Sequence, residues 1–186
     1  MPYYAVRAGH TPGVYTLWAD VQRNISKYSG SDYRKFETLT EAEEYLNTKP
    51  WVEGEPDMYY AYVDGSNRGD EEYSGAVVIV KDGEIIKELS AKGADPNFRK
   101  KRNIAGELLG ALLAMEWAYQ NNVLTLYVCH DYVGIGKWAT GDFKARDELS
   151  MAYKRSVELL EAQGMEFRFI KLKRSMNEQM RSLRRH

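Results

Sequence analysis

Three carboxylates stand where the surrounding pattern calls for apolar side chains or strand ends. Glu107 comes three residues after Ile104 and four before Ala111, inside an apolar stripe of Ile104, Leu108, Ala111, Leu112 and Met115 at helical spacing. Asp64 follows the apolar run Tyr60, Ala61, Tyr62, Val63, and Asp131 follows the run 124–129. Both are therefore expected at the carboxyl ends of strands, the edge at which open α/β sheets bind ligands. Each has a bland alternative. Asp64-Gly65-Ser66 also reads as the start of a turn, Glu107 can swing out to solvent, and Asp131 can cap a short helix near Tyr132. Three converging carboxylates would repel by roughly 4 kcal/mol per close pair at moderate dielectric, which a divalent cation would offset. Hard cations take oxygen ligands, and two magnesium ions can clamp the attacking and leaving oxygens of a phosphodiester. Phosphoryl transfer is the chemistry such a set supports.

The elements that would position these groups follow from periodicity. Residues 58–63 read as a strand, and 75–80 and 84–91 as a hairpin around Lys81-Asp82-Gly83, a tight-turn signal. A helix over 103–122, a buried strand over 124–129, a helix over 146–163 and a strand over 165–172 complete an order βββαβαβ. That order predicts an α/β domain over 58–186 with a mixed five-stranded sheet flanked by helices and a basic tail. Residues 47–57, with two prolines, a glycine and acids, read as a linker able to reach about 35 Å. Ahead of it, residues 1–46 predict a small α+β domain. Runs at 3–7 and 14–18 form a hairpin around the turn 9–13, and Thr40 caps a helix over 40–46.

Composition narrows the function classes. A formal net charge of -1 excludes a protein that coats nucleic acid through overall basicity, so any such binding is local. The 44% apolar content can fill a core, and the 14 tyrosines suit recognition surfaces. Cys129 is the only cysteine, which leaves no intramolecular disulfide or cysteine-rich zinc site and fits a reducing cytoplasm. No run approaches the roughly 18 apolar residues of a membrane span, and the first ten residues lack a signal-peptide layout. A soluble, cytoplasmic protein without membrane partners is expected.

The segments Tyr62-Val63-Asp64-Gly65-Ser66, Asn103-Ile104-Ala105-Gly106-Glu107 and His130-Asp131-Tyr132-Val133-Gly134-Ile135, with Trp138-Ala139-Thr140-Gly141, resemble in order and interval the motifs of type 1 ribonuclease H. The resemblance implies that Asp64, Glu107 and Asp131 hold two magnesium ions, with manganese as a possible substitute. These would activate water to cut the RNA strand of RNA:DNA hybrids, leaving 5′-phosphate and 3′-hydroxyl ends. It further implies that Asn103 contacts a ribose 2′-hydroxyl, that Trp138 stacks on a deoxyribose and that Thr140 lies near a DNA phosphate. Residues 1–46 are similar to the hybrid-binding, viroplasmin-like domain found ahead of many such enzymes. The matching segments are Tyr3-Tyr4-Ala5-Val6-Arg7-Ala8-Gly9, Gly13-Val14-Tyr15 with Trp18, Tyr33-Arg34-Lys35-Phe36 and Thr40-Glu41-Ala42-Glu43. That similarity implies that Trp18 and Tyr33 lie against DNA sugars and that Tyr4, Arg34 and Lys35 meet backbone. Hybrid is the implied partner, with double-stranded RNA as a second ligand class. Read without the resemblance, Trp18 can instead be a core residue of a tiny domain, and His10 is structural.

The tail departs from the family pattern. A glycine loop bearing a histidine is missing between the last strand and Asn177-Glu178, and Arg181 stands where a fourth carboxylate is expected. Guanidinium in place of carboxylate turns attraction to a metal into repulsion. Glu178, three residues before Arg181, is a further candidate ligand if the tail is shifted. Two functions compete on this basis: a metal-dependent hybrid nuclease, and a catalytically weak or inactive hybrid-binding protein. A transposase- or integrase-like relative is a third class, against which Asn103 and the N-terminal domain speak.

Overall fold

The computed structural model describes residues 1–47, 54–68, 72–93 and 102–172, with the backbone alone at 66–68, 102 and 103. The described chain separates into two compact units.

The first unit is a three-stranded antiparallel sheet in the order β2-β1-β3, built from β1 (Tyr3–Ala8), β2 (Gly13–Tyr15) and β3 (Asp32–Phe36). Two helices accompany it, α1 (Trp18–Ile25) and α2 (Leu39–Leu46). Strand alternation sorts β1 between them. Arg7 lies 4.3 Å over the ring of Tyr45 from α2. On the opposite side, the space at Gly9 is closed by Val6 and by Asn24 of α1. Val6, Val21 and Ala42 are fully buried, so both helices seal a small core. The second run of the expected hairpin stops at Tyr15, and Trp18 opens α1 rather than extending the strand. The helix cap is Thr38, whose hydroxyl accepts from the Glu41 amide at 3.2 Å, in place of Thr40.

The second unit is a mixed five-stranded sheet in the order β6-β5-β4-β7-β8. Strands β4 (Tyr59–Arg68), β5 (Glu72–Lys81) and β6 (Glu84–Gly93) are antiparallel, while β7 (Thr125–His130) and β8 (Glu166–Lys171) continue from β4 in parallel. Asp82 and Gly83 both take positive φ, 50° and 78°, as a two-residue hairpin turn matching strand twist requires. The helices are α3 (Arg102–Gln120), α4 (Gly134–Thr140) and α5 (Glu148–Ala162). They share one core with Ala61, Val63, Val77 and Ile79 of the sheet, and Leu108, Ala111 and Met115 of the expected stripe are buried in it. Asp147 caps α5, accepting from the Ser150 amide at 2.8 Å.

Residues 54–57, linker by composition, are held against this unit. The Glu55 amide donates to the Tyr60 hydroxyl at 2.8 Å, and the Asp57 amide to an Asp82 carboxylate oxygen at 2.8 Å.

Candidate active site and nucleic-acid surface

The expectation that Asp64 ends its strand is corrected: β4 runs on to Arg68, and Asp64 sits within it, opposite Ala76 of β5. Gly65 does not begin a turn. A Cβ on Gly65 would lie 2.3 Å from the backbone nitrogen of Glu107, so the strand continues because a glycine there lets α3 approach at backbone contact. A second seam reinforces the first. A Cβ on Gly75 would come 2.3 Å from the Gly110 nitrogen, and one on Gly110 would come 3.0 Å from the Asp64 carbonyl oxygen. The repeat Gly106-x-x-x-Gly110 on one helix face was the sequence signal for this approach.

The parallel pairing of β4 with β7 ends at Tyr62 opposite Cys129. Asp64 lies two residues beyond the end of that pairing in β4, and Asp131 lies two residues beyond it, just after β7. Among the described residues no strand pairs with that edge of β4 beyond Tyr62, so the sheet opens there, with β5 following β4 on one side and β8 lying beside β7 on the other. The three acids stand on β4, on α3 and just after β7. Asp64 is 6% exposed, and the Oε2 atom of Glu107 is buried. The backbone thus collects the three acids, but among the described residues no three metal-ligating side chains are drawn into a cluster. Alternation accounts for this, because Gly65 faces α3 and Asp64 therefore leaves the other side of β4. In donor chemistry and backbone placement the set fits a hard divalent cation reached through the opening.

Around Asp131 the backbone is fixed by His130. Its ring is buried, 3% exposed, and Nδ1 lies 2.8 Å from the Tyr132 carbonyl oxygen. Burial holds the imidazole pKa below its ordinary value, the Tyr132 bond opposing that effect. The thiol of Cys129 is pushed up to about 12 by burial. Asp131 does not cap the short helix that follows, because the N-cap of α4 is Val133. On α4, half-buried Trp138 packs against Tyr132 with ring centroids 5.9 Å apart, and exposed Thr140 reaches the Lys137 carbonyl oxygen at 3.4 Å. Asn103 is in the first turn of α3, with its backbone alone described, and Glu178 and Arg181 lie outside the described residues.

In the first unit, Trp18 is 42% exposed and not a core residue. Its ring packs between Tyr4 at 5.6 Å and Tyr33 at 5.7 Å. The β1–β3 register sets Tyr4 opposite Lys35 and Val6 opposite Tyr33, so Tyr4, Tyr33 and Lys35 share one face. Arg34, opposite Ala5, belongs to the other face. There it lies 5.6 Å over the Phe36 ring, in a groove that Lys35, Glu37, Glu41 and Glu44 also line. The structure therefore brings Lys35 to the aromatic face and leaves Arg34 away from it. His10 is structural as expected, its Nε2 2.8 Å from the Ser26 carbonyl oxygen and its ring edge-on to Tyr28.

Residues 2–46 match the family described as Ribonuclease H1 N-terminal domain. A ribonuclease H of Crithidia fasciculata is 32% identical over 68 residues, which make up 37% of this chain and 12% of that protein's length. Among solved structures, RNase H1 of the halophilic archaeon Halobacterium salinarum is 20% identical with a TM-score of 0.57, the match covering 69% of this chain and 99% of that one. LC11-RNase H1, solved in complex with an RNA/DNA hybrid, is 19% identical with a TM-score of 0.55, covering 65% and 89%. At these identities the two structures speak for the fold of the second unit. The chain thus joins a segment similar to the ribonuclease H1 N-terminal domain, residues 2–46, to a second unit with the fold of these RNase H1 structures, and it spans only a small part of the curated relative's length.

Proposed function

We propose that this chain binds RNA:DNA hybrids and hydrolyses their RNA strand. The reading is supported by the fold of the second unit, in which Asp64 of β4, Glu107 of α3 and Asp131 just after β7 stand on elements that neighbour one another. These three residues would hold magnesium, or manganese in its place, which supplies an activated water and neutralises charge developing on the phosphate. Asp64 is buried and Glu107 partly so, and a bound cation would offset the mutual repulsion of acids on neighbouring elements. The remaining residues bind and orient substrate. Asn103, at the start of the helix that carries Glu107, would read a ribose 2′-hydroxyl, the group that separates RNA from DNA. Trp138 of α4 would stack on a deoxyribose of the DNA strand, and Thr140, the last residue of that helix, would lie near a DNA phosphate.

The first unit supplies affinity. The Tyr4, Trp18 and Tyr33 rings give contacts tolerant of base identity, and Lys35 beside them supplies salt-dependent attraction to phosphate. LC11-RNase H1, of the same fold, is known in complex with an RNA/DNA hybrid, which supports hybrid as the ligand here. Hydrolysis by a metal-activated water leaves 5′-phosphate and 3′-hydroxyl ends. The test is the chemistry of the products: RNA fragments from a hybrid should ligate at their 5′ ends without kinase treatment. Fragments with 5′-hydroxyl and cyclic phosphate ends would contradict the mechanism.

A further inference from the structure

We infer that His130 is the positioning residue for Asp131, its imidazole bridging past that residue to fix the turn on which the carboxylate stands. The carbonyl oxygen of Tyr132 can only accept, so the Nδ1 that faces it at 2.8 Å carries the proton and donates. The bond spans two residues and closes a ring of backbone and side chain around Asp131. The same carbonyl accepts from the Ile135 amide at 3.2 Å, and the His130 carbonyl accepts from the Leu172 amide at 2.6 Å. One residue thus ties the end of β7 to the start of α4 and to the segment just after β8.

The rest of the imidazole is enclosed. Nε2 faces Gly136, where an added Cβ would lie 3.2 Å from it and 3.1 Å from Cβ of Phe169. The Phe169 ring stands edge-on to the histidine at a centroid distance of 6.1 Å. The ring has no room to turn and surrender the Tyr132 bond, so the bond is built into the packing. Asp131 itself is part-exposed. Support for a ligand's orientation commonly comes from such outer hydrogen bonds, whose loss weakens metal affinity by about 10- to 100-fold. This inference rests on the reading of Asp131 as a metal ligand.

The experiment is a calorimetric titration of the full chain with manganese in the absence of nucleic acid, for the parent, His130→Asn, His130→Gln, His130→Leu and Asp131→Asn. Asparagine carries an N–H at the position of Nδ1 and glutamine does not. His130→Asn should bind manganese within about twofold of the parent, while His130→Gln and His130→Leu weaken it about tenfold. Thermal unfolding of each variant separates loss of affinity from loss of fold, and the equally polar Asn and Gln variants keep the comparison usable if the Leu variant unfolds. Equal manganese affinity in the parent and His130→Gln, or equal loss in His130→Asn and His130→Gln, would overturn the inference. If Asp131→Asn leaves affinity unchanged, the reading of Asp131 as a ligand fails and the inference fails with it. If Asp131→Asn weakens binding and His130→Gln does not, the inference alone fails.

Discussion

A Cβ added to Gly65 would lie 2.3 Å from the backbone nitrogen of Glu107. The residue after one acid therefore touches the backbone of another, and that contact sets how far α3 stands from β4. Since the obstacle is backbone rather than a flexible side chain, Gly65→Ala must push helix and strand apart. We expect a loss of roughly 1–3 kcal/mol in stability and a larger loss of cleavage, because Glu107 moves with the helix. Gly83→Ala is the control. It takes a positive φ of 78° with nothing nearby for a Cβ to meet, so it should cost about 1 kcal/mol and leave the rate of the folded protein unchanged. Thermal unfolding and single-turnover rates compare the two.

Trp18→Ala should weaken hybrid binding about tenfold, as expected for losing one stacking surface, with thermal stability little changed because the ring is 42% exposed. A large fall in stability with unchanged affinity would return Trp18 to a core role.

Lys35→Ala and Arg34→Ala should differ although the residues are adjacent. Lys35 shares the face of Tyr4 and Tyr33, whereas Arg34 lies over Phe36 among acids. The lysine variant should lower the slope of log affinity against log salt by about one, and the arginine variant should leave it unchanged. Salt titrations of hybrid binding measure both.

Tyr45 should give the first unit an alkaline limit. Its pKa is raised from 10.0 to about 12, first by burial and then by the hydrogen bond it donates to Asp32. The folded state thus holds the phenol proton more tightly than the unfolded chain does. Its contribution is fully present below pH 10 and is lost as pH rises toward 12. The thermal unfolding temperature of the full chain should fall over that window, and Tyr45→Phe should make the fall smaller. An equal fall in the parent and in Tyr45→Phe would contradict it.

The three acids were legible because each violates a local rule: a carboxylate on an apolar helical stripe, and two that follow strongly apolar strand runs. What placed them was less legible. Gly65 has the composition of a turn, and only the proximity of α3 explains a glycine inside a ten-residue strand. Strand β3, Asp-Tyr-Arg-Lys-Phe, is polar and largely exposed, so it gives no alternation signal, and its pairing with β1 alone separates Lys35 from Arg34. Helix α1 buries only Val21 and Asn24 and lacks a side-chain cap at Leu17, which removes the start signal. Helix α4 has seven residues, two of them glycine, too few for a period to show.

The central claim is tested most directly by incubating the full chain with a labelled RNA:DNA hybrid in magnesium and in manganese. Matched double-stranded RNA and DNA serve for comparison, and Asp64→Asn is the control. The account predicts metal-dependent cutting of the RNA strand in the hybrid alone, abolished in Asp64→Asn with hybrid affinity retained. Binding of hybrid without cutting in either metal would contradict it, and would make the chain a hybrid-binding protein on a ribonuclease scaffold.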